Sequence, residues 1–363
     1  MRSSLQNSYY SSPDIWRREC DVFKNAWQFA GFKQDLAKKN DYLKLDFFET
    51  SVFLQNTGNG IEAFANVCPH RSSQIRLERK GNQAIVCPYH SWVFKEGGEV
   101  ASIPAETTFD MSECDRKDAR LEKWYLEECG NLLFIKKSND GPSLKDWLGE
   151  YYLELESTSN ALGQRIDEND MVINANWKII VENTLESYHV STIHPNSFGK
   201  LGGKDHDFEF FGSHSSWETS LNEKTQKSAG KLDKILGSRP YRTPSYKHFL
   251  VFPTMTLATS FGTSFSYQEV RPINESQTLF ISHVFLTSLT EESKSAEAIL
   301  PAFSKGVVDF NRQVFEEDRV ICEAVHRGCQ QLPDQIGHLS SIEARVGQFQ
   351  KNYMDHYESR DSQ

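Results

Sequence analysis

The sequence is poor in several things, and each scarcity narrows what the protein can be. Cysteine is thin: Cys20, Cys68, Cys87, Cys114, Cys129, Cys322 and Cys329 are the only seven in 363 residues. That excludes a dense disulfide framework, and an odd, scattered count points to a reducing compartment. No apolar run approaches the roughly 20 residues of a membrane-spanning helix, so no membrane association is expected. The opening MRSSLQNSYYSSPD lacks the apolar stretch of a secretory signal, and a cytoplasmic location is the expectation. Positive charge is in deficit, 40 Lys and Arg against 50 Asp and Glu, which argues against a nucleic-acid surface. No internal repeat is visible. What is plentiful is core-forming material: 38% hydrophobic and 12% aromatic residues, in a chain long enough for two domains.

The few cysteines are not placed at random. Cys68-Pro69-His70 is followed, after sixteen residues, by Cys87-Pro88-Tyr89-His90. Each pair offers one soft thiolate and one imidazole. Two such pairs on facing loops can hold one iron through sulfur and a second through nitrogen, the ligand set of a Rieske [2Fe–2S] centre. Zinc also takes two cysteines and two histidines, and a structural zinc site is the competing reading. Zinc fingers group the two residue types separately, whereas here each pair is mixed. Proline after each cysteine sets a tight loop rather than a helix-borne ligand pair.

Around these loops the pattern is that of a small all-β unit. Residues 13–30 open on Ser12-Pro13-Asp14, a helix-entry signal, with Ile15, Trp16, Phe23 and Trp27 on one face. Residues 41–66 alternate and break at Asn56–Gly60, which predicts a hairpin. Lys80-Gly81-Asn82 and Lys95–Glu99 read as turns, and Leu132–Ile135 as a buried strand. Residues 138–170 are polar and mark a boundary, with a short helix at Leu144–Leu153. Gly199–Tyr246 is poorly periodic and reads as a long irregular segment. Strand character returns over 248–288, and 296–327 reads as a long helix.

A second constellation lies in residues 174–198, NANWKIIVENTLESYHVSTIHPNSF, which carry Glu182, Asn183, Glu186, His189 and His194. Two histidines and a carboxylate with open positions form the facial triad of non-haem Fe(II) oxygenases. On a regular helix, however, residues five apart point about 140° away from each other. Convergence therefore requires the helix to bend or end near His194, and Pro195 favours an end. The third ligand must come from elsewhere. The C-terminal helix has an apolar stripe at Val307, Phe310, Val314, Ile321 and Val325, with Asp318 beside one edge and Glu317 beside the other. An acid against a buried stripe is costly unless something pairs with it. Periodicity separates the two acids only slightly. Taken alone, two histidines at this spacing also fit a satisfied surface or core pair.

With both constellations in view, the chain resembles the oxygenase (α) component of Rieske non-haem iron oxygenases, the ring-hydroxylating oxygenases. The resemblance runs from WQFAGF through NVCPHRSS, CPYHSWVF and NWKIIVENTLESYHVSTIHP to EEDRVICEAV. It implies an α+β fold: an all-β Rieske domain at 41–150 and a helix-grip catalytic domain with an antiparallel sheet at 151–363. Residues 1–40 would be an N-terminal helical segment packing on the latter. It implies that Cys68 and Cys87 bind one cluster iron and His70 and His90 the other, and that His189, His194 and Asp318 hold a mononuclear Fe(II), the ED pair favouring Asp318 over Glu317. Glu186 stands where an acid bridges the two metal sites of neighbouring subunits in a head-to-tail homotrimer. Many members carry Asp there, and Glu is similar to the branch acting on quaternary ammonium compounds. Asn183 would lie near the iron without binding it, and Tyr188 and Trp92 would stand behind the ligands. The implied activity is hydroxylation by O2, with NAD(P)H electrons arriving through a separate reductase or ferredoxin. Two substrate classes stay open: an aromatic or other apolar ring, and a methylated or quaternary amine held by aromatic residues drawn from Tyr241, Tyr246, Phe261, Phe265 and Tyr267. The chain length tilts slightly toward monooxygenation. A Rieske protein that only transfers electrons is the other functional reading, although about 100 residues would suffice for it.

Overall fold

The computed structural model describes residues 2–202, 207–291 and 294–358. The chain divides into two units, Phe23–Leu144 and the rest, the latter joining the N-terminal residues up to Val22 to those from Lys145 onward. The N-terminal part of the second unit is strand β1 (Arg2–Gln6) and helix α1 (Pro13–Phe23).

The first unit is built on strands β2 (Gln28–Phe32), β3 (Asp41–Phe47), β4 (Thr50–Asn56), β5 (Ile61–Ala65), β6 (Lys80–Asn82), β7 (Val93–Phe94), β8 (Val100–Ser102), β9 (Lys123–Cys129) and β10 (Leu132–Lys136), with a short helix α2 (Glu113–Asp118). Seven of these strands form one antiparallel sheet in the order β2-β10-β9-β5-β4-β3-β6, and β7 and β8 form a separate ribbon. The boundary expected at residue 40 is corrected here. Strand β2 is buried along its whole length and pairs with β10, because Gln28–Phe32 brings apolar side chains to both faces. The expected hairpin at Asn56–Gly60 joins β4 to β5. Lys80–Asn82, expected as a turn, is instead an edge strand against β3. Gly81 permits this: a Cβ there would lie 2.8 Å from the Tyr42 ring.

The second unit continues through α3 (Leu144–Leu148), α4 (Tyr151–Asn160), β11 (Leu162–Ile173), α5 (Trp177–Thr184), α6 (Val190–Ile193), β12 (Asp207–Phe211), β13 (His214–Thr219), α7 (Glu223–Leu236), β14 (Tyr246–Val251), β15 (Met255–Ser260), β16 (Ser264–Asn274), β17 (Gln277–Thr287), α8 (Lys294–Gln331), β18 (Ile336–His338) and α9 (Ala344–Glu358). Seven strands make an antiparallel sheet in the order β11-β17-β16-β15-β14-β13-β12. Two sequence expectations change. The polar stretch up to residue 170 contains β11, which makes an edge of the sheet, where polar residues are tolerated on the outer face. The segment 199–246 is more regular than expected, contributing β12, β13 and α7, although 203–206 lie outside the described residues. Its strands are short and its helix is mostly exposed, which hides their periodicity.

The N-terminal residues are tied to α5 by buried polar contacts. Trp177 Nε1 donates to Glu19 at 3.1 Å, Tyr353 Oη donates to Glu19 at 2.6 Å, and the ammonium of Lys178 pairs with the same carboxylate. Glu19 and Lys178 are both fully buried, so removing one would leave the other charge uncompensated. This cluster holds the start of α5, whose N-cap Asn176 accepts the Lys178 N–H at 3.0 Å.

Candidate active site

Two groups of sequence-predicted residues converge, one in each unit. In the first unit, Cys68 and Cys87 sit fully buried in a core that includes Phe53, Phe64, Trp92 and Leu121. Their loops repeat one construction. The Cys68 N–H donates to the Ser73 carbonyl, and the Cys68 carbonyl accepts from the Ser72 N–H. At the second loop Cys87 N–H donates to Trp92 and Ser91 N–H to Cys87. Ser72 and Ser91 both take left-handed backbone conformations, φ 55° and 57°, which turn each loop back on itself. The two histidine rings meet edge-on, with centroids 4.6 Å apart and planes at 66°, and Trp92 stacks on His70 at 4.9 Å and 3°.

The donor set fits a [2Fe–2S] cluster. Nδ1 of His70 and Nδ1 of His90 are both buried without a hydrogen-bond partner, which is costly for a ring nitrogen unless a metal takes it. Burial pushes the Cys68 thiol up to about 11, against the pull of N–H bonds from His70 and Arg71. Those N–H groups are aimed at sulfur and suit a thiolate, the form that binds metal. Burial also lowers the pKa of His70, favouring the neutral ring that a metal requires.

In the second unit, α5 ends at Thr184, so His189 and His194 do not share a regular helix. Instead they cap the single turn of α6, His189 at its start and His194 at its end. This is how a five-residue spacing converges. His189 Nε2 lies 3.2 Å from His194 Nε2, and Asp318 Oδ1 lies 3.0 Å from His194 Nε2 and 3.6 Å from His189 Nε2. Three donors at right angles around an ion, each about 2.1 Å from it, stand about 3.0 Å apart. The spacing therefore fits one metal.

The opposite ring nitrogens are committed to carboxylates. His189 Nδ1 is bonded to Glu186, and His194 Nδ1 to Glu317 at 2.7 Å. A carboxylate behind each histidine holds the ring with Nε2 directed inward and makes it a better ligand. Glu317 also accepts from Ser197 at 2.6 Å and from Gln313 at 2.8 Å. Burial would raise the Glu317 pKa, but these bonds from Ser197, His194 and Gln313 bring it below the ordinary carboxylate range. The edge-of-stripe ambiguity is thereby resolved in space: Asp318 points at the two histidines, and Glu317 stands behind one of them. Asn183 Nδ2 donates to Asp318 Oδ1 at 2.8 Å and fixes that side chain.

Other expectations divide. Glu182 is not at the site; it accepts from Tyr10 Oη at 2.8 Å. Tyr188 is exposed and meets Glu186 only through its backbone N–H. On α8 the buried positions past Asp318 are Cys322, His326 and Cys329, not Ile321 and Val325, and Val325 is exposed.

The three donors open into a cavity of about 800 Å³ between the sheet and helices α7 and α8. Tyr246 and Phe261 border it, whereas Tyr241, Phe265 and Tyr267 do not. Ser197, Gln313, His248 and Arg345 belong to the surroundings of the site and went unnoticed in the sequence. His248 left little signal, standing between Lys247 and the apolar run Phe249–Phe252.

Comparisons with known proteins agree with this arrangement. The family model described as ring hydroxylating alpha subunit (catalytic domain) matches residues 144–359, and the Rieske [2Fe-2S] domain matches residues 26–121. The carnitine monooxygenase oxygenase subunit of Acinetobacter pittii is 25% identical over 330 residues, covering 88% of this chain and 83% of that protein. Among solved structures, a quaternary ammonium Rieske monooxygenase with bound L-carnitine superposes with a TM-score of 0.80 at 20% identity, covering 98% of this chain and 95% of that one. Naphthalene 1,2-dioxygenase with bound indole gives 0.76 at 18% identity, covering 98% and 93%. The match over 144–359 sets aside a bare electron-transfer protein, and the match over 26–121 sets aside a structural zinc site. The chain belongs to the ring-hydroxylating α-subunit family, as a Rieske-type non-haem iron oxygenase carrying a [2Fe–2S] cluster and a mononuclear iron.

Proposed function

We propose that His189, His194 and Asp318 hold the mononuclear iron, that Cys68 and Cys87 hold one cluster iron and His70 and His90 the other, and that the chain hydroxylates a small organic substrate in the adjoining cavity. The observation that carries this reading is the triangle of donor atoms, 3.0 to 3.6 Å on a side, opening into a cavity of about 800 Å³. When bound, the two groups supply one-electron transfer and O2 activation. The chain's own residues do the rest. Glu186 and Glu317 orient the histidine ligands, Asn183 orients Asp318, and walls including Phe198, Phe303 and Phe310 keep water from the reacting carbon.

Electrons come from NAD(P)H through a separate reductase or ferredoxin in this reading, and the chain works as a homotrimer in the cytoplasm. Glu186 is suited to a bridge between subunits. A carboxylate offers about four acceptor sites, and Glu186 uses three, on His189 Nδ1 and on the N–H groups of Tyr188 and His189. The fourth is open to His70 or His90 of the partner subunit, and both rings are half-exposed in the chain itself. Carnitine monooxygenase is named for a quaternary amine and naphthalene 1,2-dioxygenase for an aromatic hydrocarbon, so relatives alone leave the substrate class open.

The test is His189→Ala. It is expected to lose the mononuclear iron and all turnover while the visible absorption of the cluster persists. An alanine variant that retains stoichiometric mononuclear iron would overturn the ligand assignment.

A further inference from the structure

The walls of the cavity speak to what it takes. Glu186 and Asp318 are the only acids bordering it among the described residues, and both are engaged at the metal triangle. Among the described residues no lysine or arginine borders it. A cationic head group therefore finds no free carboxylate there.

One buried cation stands directly behind the wall. Arg345 is fully buried and forms no ion pair among the described residues. Its guanidinium is satisfied by neutral partners: Nε donates to Ser215 Oγ at 3.0 Å, one terminal nitrogen to the Ser215 carbonyl at 3.2 Å, and the other to His248 Nδ1 at 3.2 Å. Burial lowers the Arg345 pKa to about 9, which leaves it charged at neutral pH. Guanidinium can only donate. His248 Nδ1 must therefore accept, and the ring carries its proton on Nε2. Burial first, and Arg345 second, keep His248 from taking a second proton.

His248 borders the cavity, and its Nε2 makes no hydrogen bond to another described residue. A second polar wall works the same way. Asn311 donates to the Val307 carbonyl at 2.8 Å, which fixes its amide. Its oxygen then accepts from Ser266, whose oxygen accepts from Gln268, whose oxygen accepts from Thr256. The chain of bonds leaves one amide N–H on Gln268 and one on Asn311 unused, again donors.

Resting on the oxygenase reading above, we infer that the substrate is an apolar, ring-sized molecule bearing an acceptor oxygen, held by His248 Nε2–H with Arg345 behind it, and not a quaternary ammonium compound. The apolar body fills the space among Phe198, Trp217, Phe303 and Phe310. The oxygen accepts a hydrogen bond from His248 Nε2–H, and the field of Arg345 strengthens that bond while repelling a cation. A carbonyl and a carboxylate share this chemistry.

The test holds the apolar body constant and changes the head group. Binding of 2-acetylnaphthalene, 2-naphthoate and (2-naphthyl)trimethylammonium to the oxidised holoenzyme is measured by calorimetry. One well-placed hydrogen bond corresponds to about tenfold in Kd. The two oxygen-bearing probes are expected to bind about tenfold or more tightly than the ammonium. Naphthoate ahead of acetylnaphthalene would show that the full charge of Arg345 is felt; equal binding would assign the preference to the hydrogen bond. In His248→Phe the preference is expected to fall by about that tenfold, since the hydrogen bond is lost while Arg345 remains on Ser215. Equal or tighter binding of the ammonium by the wild-type protein, or binding of none of the three, overturns the inference whether or not the variant folds. Iron content and turnover of the same preparation are read independently. An iron-loaded, active enzyme that prefers the ammonium refutes this inference alone, and an iron-free protein that prefers the oxygen probes refutes the oxygenase reading alone.

Discussion

Glu317 and Asp318 are adjacent acids with different tasks in this structure, and substitution separates them. Asp318→Ala removes a donor that stands 3.0 Å from His194 Nε2, leaving two histidines for the ion. Glu317→Ala removes no donor of the triangle. It removes the acceptor of His194 Nδ1 at 2.7 Å and strands the Ser197 hydroxyl and the Gln313 amide, which bond the same carboxylate. Loss of such a supporting carboxylate typically weakens metal binding about 10- to 100-fold, or about 1.4 to 2.7 kcal/mol. Glu317→Gln should be milder, since the amide oxygen still accepts from His194. The assay is mononuclear iron content after dialysis against a graded chelator series, with cluster absorption as the internal reference. The expected order of retention is wild type, Glu317→Gln, Glu317→Ala, then Asp318→Ala with none. Iron retained in Asp318→Ala, or lost as completely in Glu317→Ala, would refute the division of labour.

Cys87→Ser is expected to bleach the cluster absorption and leave the mononuclear iron in place; unchanged absorption would remove Cys87 as a ligand. Glu186→Ala should keep the cluster and hold the mononuclear iron more weakly, as Glu317→Ala does, yet lose turnover with the reductase even when iron is supplied in excess; full steady-state activity would end its role as a bridge. Glu182 offers a pH test. Burial raises its pKa to about 7, against the bonds from Tyr10 and Gln350. A carboxyl whose pKa is raised on folding holds its proton more tightly when folded, so its contribution to stability is present below about pH 4.5 and is lost as pH rises to about 7. The loss is of order 3 kcal/mol at most. Glu182→Gln, neutral at every pH, should raise Tm at pH 8 and change it little at pH 5. Equal shifts at both pH values in calorimetry would contradict this.

What the chain alone determined is largely local chemistry. Mixed Cys–His pairs with a proline after each cysteine are a short-range pattern, and the loops that carry them are closed by neighbours within five residues, Cys68 with Ser72 and Ser73, Cys87 with Ser91 and Trp92. The hairpin at Asn56–Gly60 and the long helix α8 are legible for the same reason, since turn chemistry and helical periodicity act over a few residues. What needed the tertiary structure are choices made across long separations. Strand β2 reads as an extension of a helical segment until β10, about a hundred residues later, pairs with it. Asp318 and Glu317 lie on opposite edges of one apolar stripe, and periodicity cannot rank them. The ranking comes from His189 and His194, more than 120 residues earlier, which accept one acid as a neighbour in the triangle and place the other behind a ring. The character of the cavity is likewise a tertiary matter. His248 and Arg345 are 97 residues apart, and only the fold sets a buried guanidinium against that imidazole and so decides which nitrogen carries its proton.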